Sequence, residues 1–298
     1  MFAQNLKRDS ARSDKHTGGK IEKTVLVRGD ADIKITVNVP SFQLTLWQNG
    51  KEVKTYLVGV GLKDFPIAIG LREASDIIWN PNWIPPASDW VTGHKGVKAG
   101  EVIKPTDPRN PLGKLKIPLG GGYLIHQAKG VGDLGSLVSH GCVRMLRTDL
   151  YDLAEKIVAA RSLPVSRKQI ENAKRTKKTL TARLDPSVPV EITYDTQVVE
   201  AGRLHIYPDV YDYKTKTIKN LREELESSGV DSSRLTDKTL ERMLAQAAAK
   251  KQFVVGTASI KSGRALTAGR TFSVLARGTE QTAPKRTNGT LRQRRASR

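Results

Sequence analysis

The chain has 298 residues, 38% hydrophobic and 27% charged, and its 50 Lys+Arg against 30 Asp+Glu leave a net charge of +20. That length accommodates one or two domains, and that apolar content can bury a core, which excludes wholesale disorder. No run of about 18 apolar residues occurs, which excludes a membrane-spanning helix, and a single cysteine, Cys142, excludes an intrachain disulfide. The positive excess points to anionic surroundings: nucleic acid, anionic lipid or an acidic wall polymer.

Residues 1–30 are polar, mixed in charge and contain Gly18-Gly19. They read as a flexible arm without the apolar segment of a signal peptide. Ile33, Ile35, Val37 and Val39 then alternate with polar residues, predicting a half-buried strand that ends at Pro40. Phe42, Leu44 and Leu46 alternate again, and Asn49-Gly50 separates them from Val53, Tyr56, Val58 and Val60. Asn-Gly between two apolar runs predicts a hairpin. Residues 66–118 are rich in Pro, Trp, Gly and Asn, include Trp79, Trp83 and Trp90, and show no clean period. They read as a long irregular stretch, of the kind that usually carries function.

Gly120-Gly121-Gly122 leads into a short apolar strand ending at His126, and a glycine-rich loop over 130–135 leads to Ser139-His140-Gly141-Cys142-Val143-Arg144. Thr148-Asp149 predicts the cap of a helix whose apolar positions are Leu150, Leu153, Ala154, Ile157 and Val158. Residues 161–185 carry eight Lys/Arg against two acids and read as a basic insert. Strands are expected at Val188–Tyr194 and Arg203–Tyr207. A helical extension is expected over 214–280, with one helix around Leu221 and Leu225 and another starting at Thr236-Asp237. The tail at 281–298 has six Lys/Arg and no acid, and reads as disordered.

The chemistry centres on Cys142. His140 and Arg144 make its surroundings electropositive, and nearby cations lower a thiol pKa. Gly141 lets the backbone approach a substrate and turn amide N–H groups toward an oxyanion. His126, sixteen positions upstream, is a candidate base, because a Cys–His pair need not be adjacent in sequence. Two other readings stay open on these residues alone. Cys142 can be a buried inert thiol. His126, His140 and Cys142 can supply three zinc ligands, although no Cys-x-x-Cys or His-x-x-x-His completes a tetrahedral set.

His126, a spacer of twelve residues, and then Ser139-His140-Gly141-Cys142-Val143-Arg144 together resemble the active-site motif of the L,D-transpeptidase catalytic domain family, whose members remodel bacterial peptidoglycan. The likeness takes in Val37 through Leu46, Tyr56 through Gly61, Phe65-Pro66, Gly70 through Ser75, Asn80 through Pro86 and Asn110 through Gly113. It covers roughly 31–160 and resumes at 186–213. It departs at Gln127, where the family usually has Gly or Ser, and over Pro66–Gly70, where a Thr-Pro-x-Gly-like segment is common.

The resemblance implies a mainly β, L,D-transpeptidase-like β-sandwich catalytic domain over 31–213, with one helix after the motif and the helical extension beyond. It implies Cys142 as nucleophile, His126 as base and later acid, the Gln127 carbonyl as the group that orients His126, and the amides of His140, Gly141 and Cys142 as the oxyanion hole. Ser139 and His140 would shape the site by hydrogen bonding, and Arg144 would be either structural or carboxylate-binding. Tyr123 and either Trp79 or Trp83 would be walls.

The expected reaction is acyl transfer from a peptidoglycan tetrapeptide stem through a thioester. The acceptor would be another stem, giving a 3→3 cross-link, or a wall-anchored protein, or water as in an L,D-carboxypeptidase. No cofactor or metal is expected, carbapenems should acylate the site, and the protein should work in the periplasm or cell envelope after loss of an export signal. A nucleic-acid-binding protein would also explain the charge, but no nucleic-acid motif appears and the cations lie apart from aromatic residues. A catalytically dead wall-binding module fits poorly with an intact Cys142 and His126.

Overall fold

The computed structural model describes residues 33–92 and 96–275; the arm at 1–30, the tail at 281–298, His16 and His94 lie outside the described residues. Strands β1 (Ile33–Asn38), β2 (Gln43–Gln48), β3 (Lys51–Leu57), β4 (Val60–Gly61) and β5 (Gly70–Trp79) come first, followed by a one-turn helix α1 (Asp89–Thr92). Next come β6 (Leu115–Pro118), β7 (Leu124–Gln127), β8 (Leu137–Ser139) and β9 (Val143–Met145), then helices α2 (Arg147–Ala160) and α3 (Arg167–Arg175). Strands β10 (Leu180–Thr193), β11 (Gln197–Glu200) and β12 (Arg203–Ile206) precede helices α4 (Ile218–Ser227) and α5 (Asp237–Gln246). The described chain closes with β13 (Lys251–Gly256), α6 (Thr257–Lys261), α7 (Ala265–Ala268) and β14 (Arg270–Ser273).

The fold is mainly β, as expected. One eight-stranded sheet has the order β3-β2-β1-β10-β5-β6-β7-β9. Alternation builds its first strands: Ile33, Ile35 and Val37 of β1 and Leu44 and Leu46 of β2 point into the core. The β2–β3 hairpin turns on Asn49 and Gly50, whose φ values of 51° and 73° are the two left-handed conformations that an Asn-Gly turn supplies. Helix α2 buries Leu150, Leu153, Ala154, Ile157 and Val158 against the sheet's core. Its N-cap is Leu146, with no side-chain cap, so Thr148 and Asp149 lie inside the first turn rather than before it. Asp149 there complements the positive end of the helix dipole.

The stretch 66–118 is more regular than its composition suggests. It contains β5, ten residues long, which pairs with β10 and β6 near the middle of the large sheet. Its period is hidden because the buried positions, Ala74, Ile77 and Trp79, change phase where β10 bulges between Arg183 and Val188. Strand β10 starts at Leu180, eight residues before the expected Val188, so the basic segment 161–185 holds α3 and the first turn of sheet rather than a detached loop. Beyond β10, a four-stranded sheet β11-β12-β13-β14 pairs the strand at Arg203–Ile206 with the C-terminal part. Helices α4 and α5 cover that sheet and form a second core around Leu204, Leu221, Leu225, Leu240, Met243 and Phe253.

Candidate active site

Strands β7 and β9 run parallel at one end of the large sheet, with Ile125 opposite Val143 and His126 opposite Arg144. Side chains of paired residues project to the same side, and successive residues alternate. His126 and Arg144 therefore share one face, while Ile125 and Val143 share the other and are buried in the core. Cys142, immediately before β9, continues that register and falls beside Leu124. The register thus places Cys142 and His126 on the same face, diagonally across the two segments.

The motif is held in place by its first residue. Ser139 is buried, its hydroxyl donates to the Cys142 carbonyl at 2.6 Å, and its own carbonyl accepts the Leu62 N–H at 2.8 Å. Strand β8 also pairs with β4, so Gly61 lies under the turn: a Cβ there would stand 3.1 Å from Gly141 Cα. Gly141 has φ +98°, and a Cβ at that residue would come within 2.8 Å of the Tyr123 ring. Both conditions exclude any larger residue without rearrangement.

His126 is 4% exposed, and its Nδ1 is buried without a hydrogen-bond partner. Burial first, and Arg144 second, push its pKa down to about 4, against smaller upward effects of the Gln127 backbone and Asp133. The imidazole is therefore neutral at neutral pH. Burial also raises the Cys142 thiol above its ordinary value; the Leu124 backbone and Arg144 offset this only in part. That reverses the sequence expectation of a lowered thiol pKa, because the desolvation of an enclosed sulfur outweighs one neighbouring cation. Both shifts favour the uncharged forms, a thiol at Cys142 and a neutral imidazole at His126.

The remaining expected residues divide between the cleft and its supports. Arg144 is 12% exposed, and its guanidinium donates to Asp133 at 3.1 Å, an ion pair inside the site. Gln127 turns its side chain away from the cleft and accepts the Lys114 N–H at 2.9 Å. His140 is exposed, with its ring stacked on Trp90 (centroids 4.3 Å apart, 8° between planes) and edge-on to Phe65 at 4.6 Å. Trp90 in turn stacks on Trp83 at 6.4 Å. Trp83 is buried in a small core with Ile103 and Leu112 and exchanges backbone hydrogen bonds with Ile103, while Trp79 is fully buried. The Tyr123 ring lies against Gly141, under the Arg72 guanidinium.

Sequence reasoning did not single out Phe65, Arg72, Trp90 or Asp133 as site residues. Asp133 had a signal in the glycine-rich loop before the motif; the other three come from segments distant in sequence. Among the described residues, no group of three or more His, Cys, Asp or Glu could hold a metal ion.

Residues 32–192 match the YkuD family, the L,D-transpeptidase catalytic domain. The chain belongs to that family. Among curated relatives, the probable L,D-transpeptidase YbiS of Escherichia coli (strain K12) is 29% identical over 129 residues, which is 40% of this chain and 40% of that protein. The probable L,D-transpeptidase YcfS of the same strain is 29% identical over 130 residues, 41% of this chain and 40% of its own length. The match thus spans about two fifths of those relatives. Among solved structures, the catalytic domain of the E. faecium L,D-transpeptidase is 15% identical with a TM-score of 0.34, covering 54% of this chain and 96% of that one. The YkuD match takes in β1 through most of β10, and so includes Cys142, His126 and nearly all of the large sheet.

Proposed function

We propose that the chain is a cysteine-dependent L,D-transpeptidase acting on peptidoglycan tetrapeptide stems. The observation that carries this is the placement of Cys142, just before β9, and a buried, neutral His126 on one face of adjacent parallel segments. A neutral thiol needs a proton acceptor of this kind at the moment of attack. His126 takes the thiol proton, and the sulfur attacks the carbonyl at the L-centre of meso-diaminopimelate. The amide N–H groups of His140, Gly141 and Cys142 receive the developing oxyanion. His126 then returns the proton to the leaving D-Ala amine, and a thioester remains. An incoming amine, losing its proton to His126, resolves the thioester. A second stem gives a 3→3 cross-link, and a wall-anchored protein gives a protein–wall bond. Through its carbonyl, Gln127 orients His126.

Arg144 supports the pair electrostatically through its ion pair with Asp133, and Tyr123 forms a wall of the donor site. The family assignment supports the peptidoglycan substrate, a periplasmic or envelope location and sensitivity to carbapenems. Water as acceptor would make the protein an L,D-carboxypeptidase. Incubation with purified disaccharide-tetrapeptide separates these outcomes by mass. A dimer lacking one D-Ala supports transpeptidation, a tripeptide supports carboxypeptidation, and unchanged substrate in the presence of added amine acceptors rejects the proposal.

A further inference from the structure

We propose that Arg72 binds a carboxylate of the donor stem, an assignment that rests on the L,D-transpeptidase reading of the site. Arg72 stands on β5, half-buried, with its guanidinium carbon 4.2 Å from the centroid of the Tyr123 ring. The same ring lies against Gly141, the residue before the nucleophile, so the cation is about one aromatic ring away from the reacting sulfur's loop.

The partners of the cations around this cleft single out Arg72. Arg144 is paired with Asp133, and Lys63 with Asp212. Arg72 has no acidic partner among the described residues; its Nε reaches the Ala68 carbonyl at 3.4 Å. With its carbon over the Tyr123 ring and its Nε on the Ala68 carbonyl, the guanidinium is held in place while its two terminal NH2 groups make no ion pair among the described residues, and such a planar fork suits a carboxylate. A stacked fork also loses little freedom on binding. Lysine cannot reproduce this arrangement. The carboxylate-binding role that the sequence offered to Arg144 is therefore better filled by Arg72, from a strand about seventy residues upstream of the motif.

The tetrapeptide donor carries two carboxylates near the scissile bond. One terminates the leaving D-Ala, and the other sits at the D-centre of the diaminopimelate side chain. The experiment distinguishes them with three donors: disaccharide-tetrapeptide, its D-Ala amide, and the form amidated at the diaminopimelate D-centre. Acylation of the full chain is followed by mass for the wild type, Arg72→Gln and Arg72→Lys.

Arg72→Gln should lower kcat/KM on the unmodified donor by about tenfold or more, mainly through KM, as expected for a lost charge-assisted pair. Arg72→Lys should recover only part of this. On one of the amidated donors, the wild type should fall to the level of Arg72→Gln, and the substitution should then have no further effect. That donor identifies the carboxylate. Wild-type rates for Arg72→Gln on the unmodified donor, or the same loss on all three donors, would overturn the assignment.

If the wild type acylates with none of the donors, the transpeptidase reading fails, and Arg72 is judged by binding alone. Calorimetric titration of unmodified donor into Cys142→Ala and Cys142→Ala/Arg72→Gln should then show weaker binding by the double variant. Equal binding by the two, or none by either, would overturn the proposal.

Discussion

His126 sets its burial against its proposed role as a base. Its burial holds the ring neutral down to about pH 4, against 6.5 for the free side chain, and leaves Nδ1 without a partner. Because the folded-state pKa is depressed, the unfolded chain binds the extra proton first. Stability from this group is fully present above about pH 6.5 and is lost as pH falls toward 4. The full effect is on the order of 3 kcal/mol. Urea unfolding at pH 7 and pH 4.5 should show a larger loss for the wild type than for His126→Gln, which has no titrating ring; equal losses would show that His126 is not held neutral. In catalysis, His126→Ala should slow acylation of Cys142 by about 10²–10⁴-fold, the range for a lost general base. His140→Ala should slow it less, because the His140 ring is occupied in a stack between Trp90 and Phe65. Rapid-quench mass measurements on both variants check this, and equal effects would contradict the division of roles.

Elements distant in sequence hold the motif from behind. Tyr211, in the segment after β12, donates its hydroxyl to the Gly61 carbonyl at 3.0 Å and accepts the Ile67 N–H at 3.4 Å. Gly61 pairs with Ser139, whose hydroxyl fixes the Cys142 carbonyl. Lys250 reaches the Ser136 hydroxyl at 2.8 Å, Leu275 covers Gly135, and Val274 belongs to the core of the large sheet. The C-terminal part therefore braces the strand that carries the motif. Tyr211→Phe keeps the ring but leaves the Gly61 carbonyl without its donor, at a cost of about 1–3 kcal/mol. Thermal unfolding should show that loss, accompanied by slower acylation; an unchanged acylation rate would show that the brace does not reach the motif.

The legible parts of the fold were those with local causes. The alternation in β1 and β2, the Asn49-Gly50 turn, the i, i+3, i+4 face of α2 and the Thr236 cap of α5 each need only neighbouring residues. β5 was hidden because its phase follows a bulge in a partner strand about a hundred residues away, and β13 because Phe253-Val254-Val255 is a continuous buried run inside an otherwise helical segment. In the site, Cys142 and His126 were legible from motif spacing. Arg72, Phe65 and Trp90 were not, because only the folded chain brings them to the cleft.

Among the described residues, two large cores and one small one support the sheets, and the chain's charge of +20 is spread unevenly. Helix α3 shows that part of the basic segment is internally neutralised: Lys174 pairs with both Glu155 and Glu171. Arg167, Lys168, Lys177 and Lys178 have no ion pair among the described residues, so they remain available to a polyanion. Neutralising these four should weaken retention on purified peptidoglycan sacculi at low salt, while turnover of a short stem peptide persists. Retention indifferent to salt and to these substitutions would assign wall binding elsewhere. Intact-mass analysis during turnover of disaccharide-tetrapeptide shows whether acyl transfer passes through the Cys142 sulfur. The wild type should carry an adduct equal to the stem minus D-Ala, mapped to Cys142 and absent from Cys142→Ala. Product formation by Cys142→Ala, or wild-type turnover with an adduct on another residue, would assign the acyl transfer to a different group.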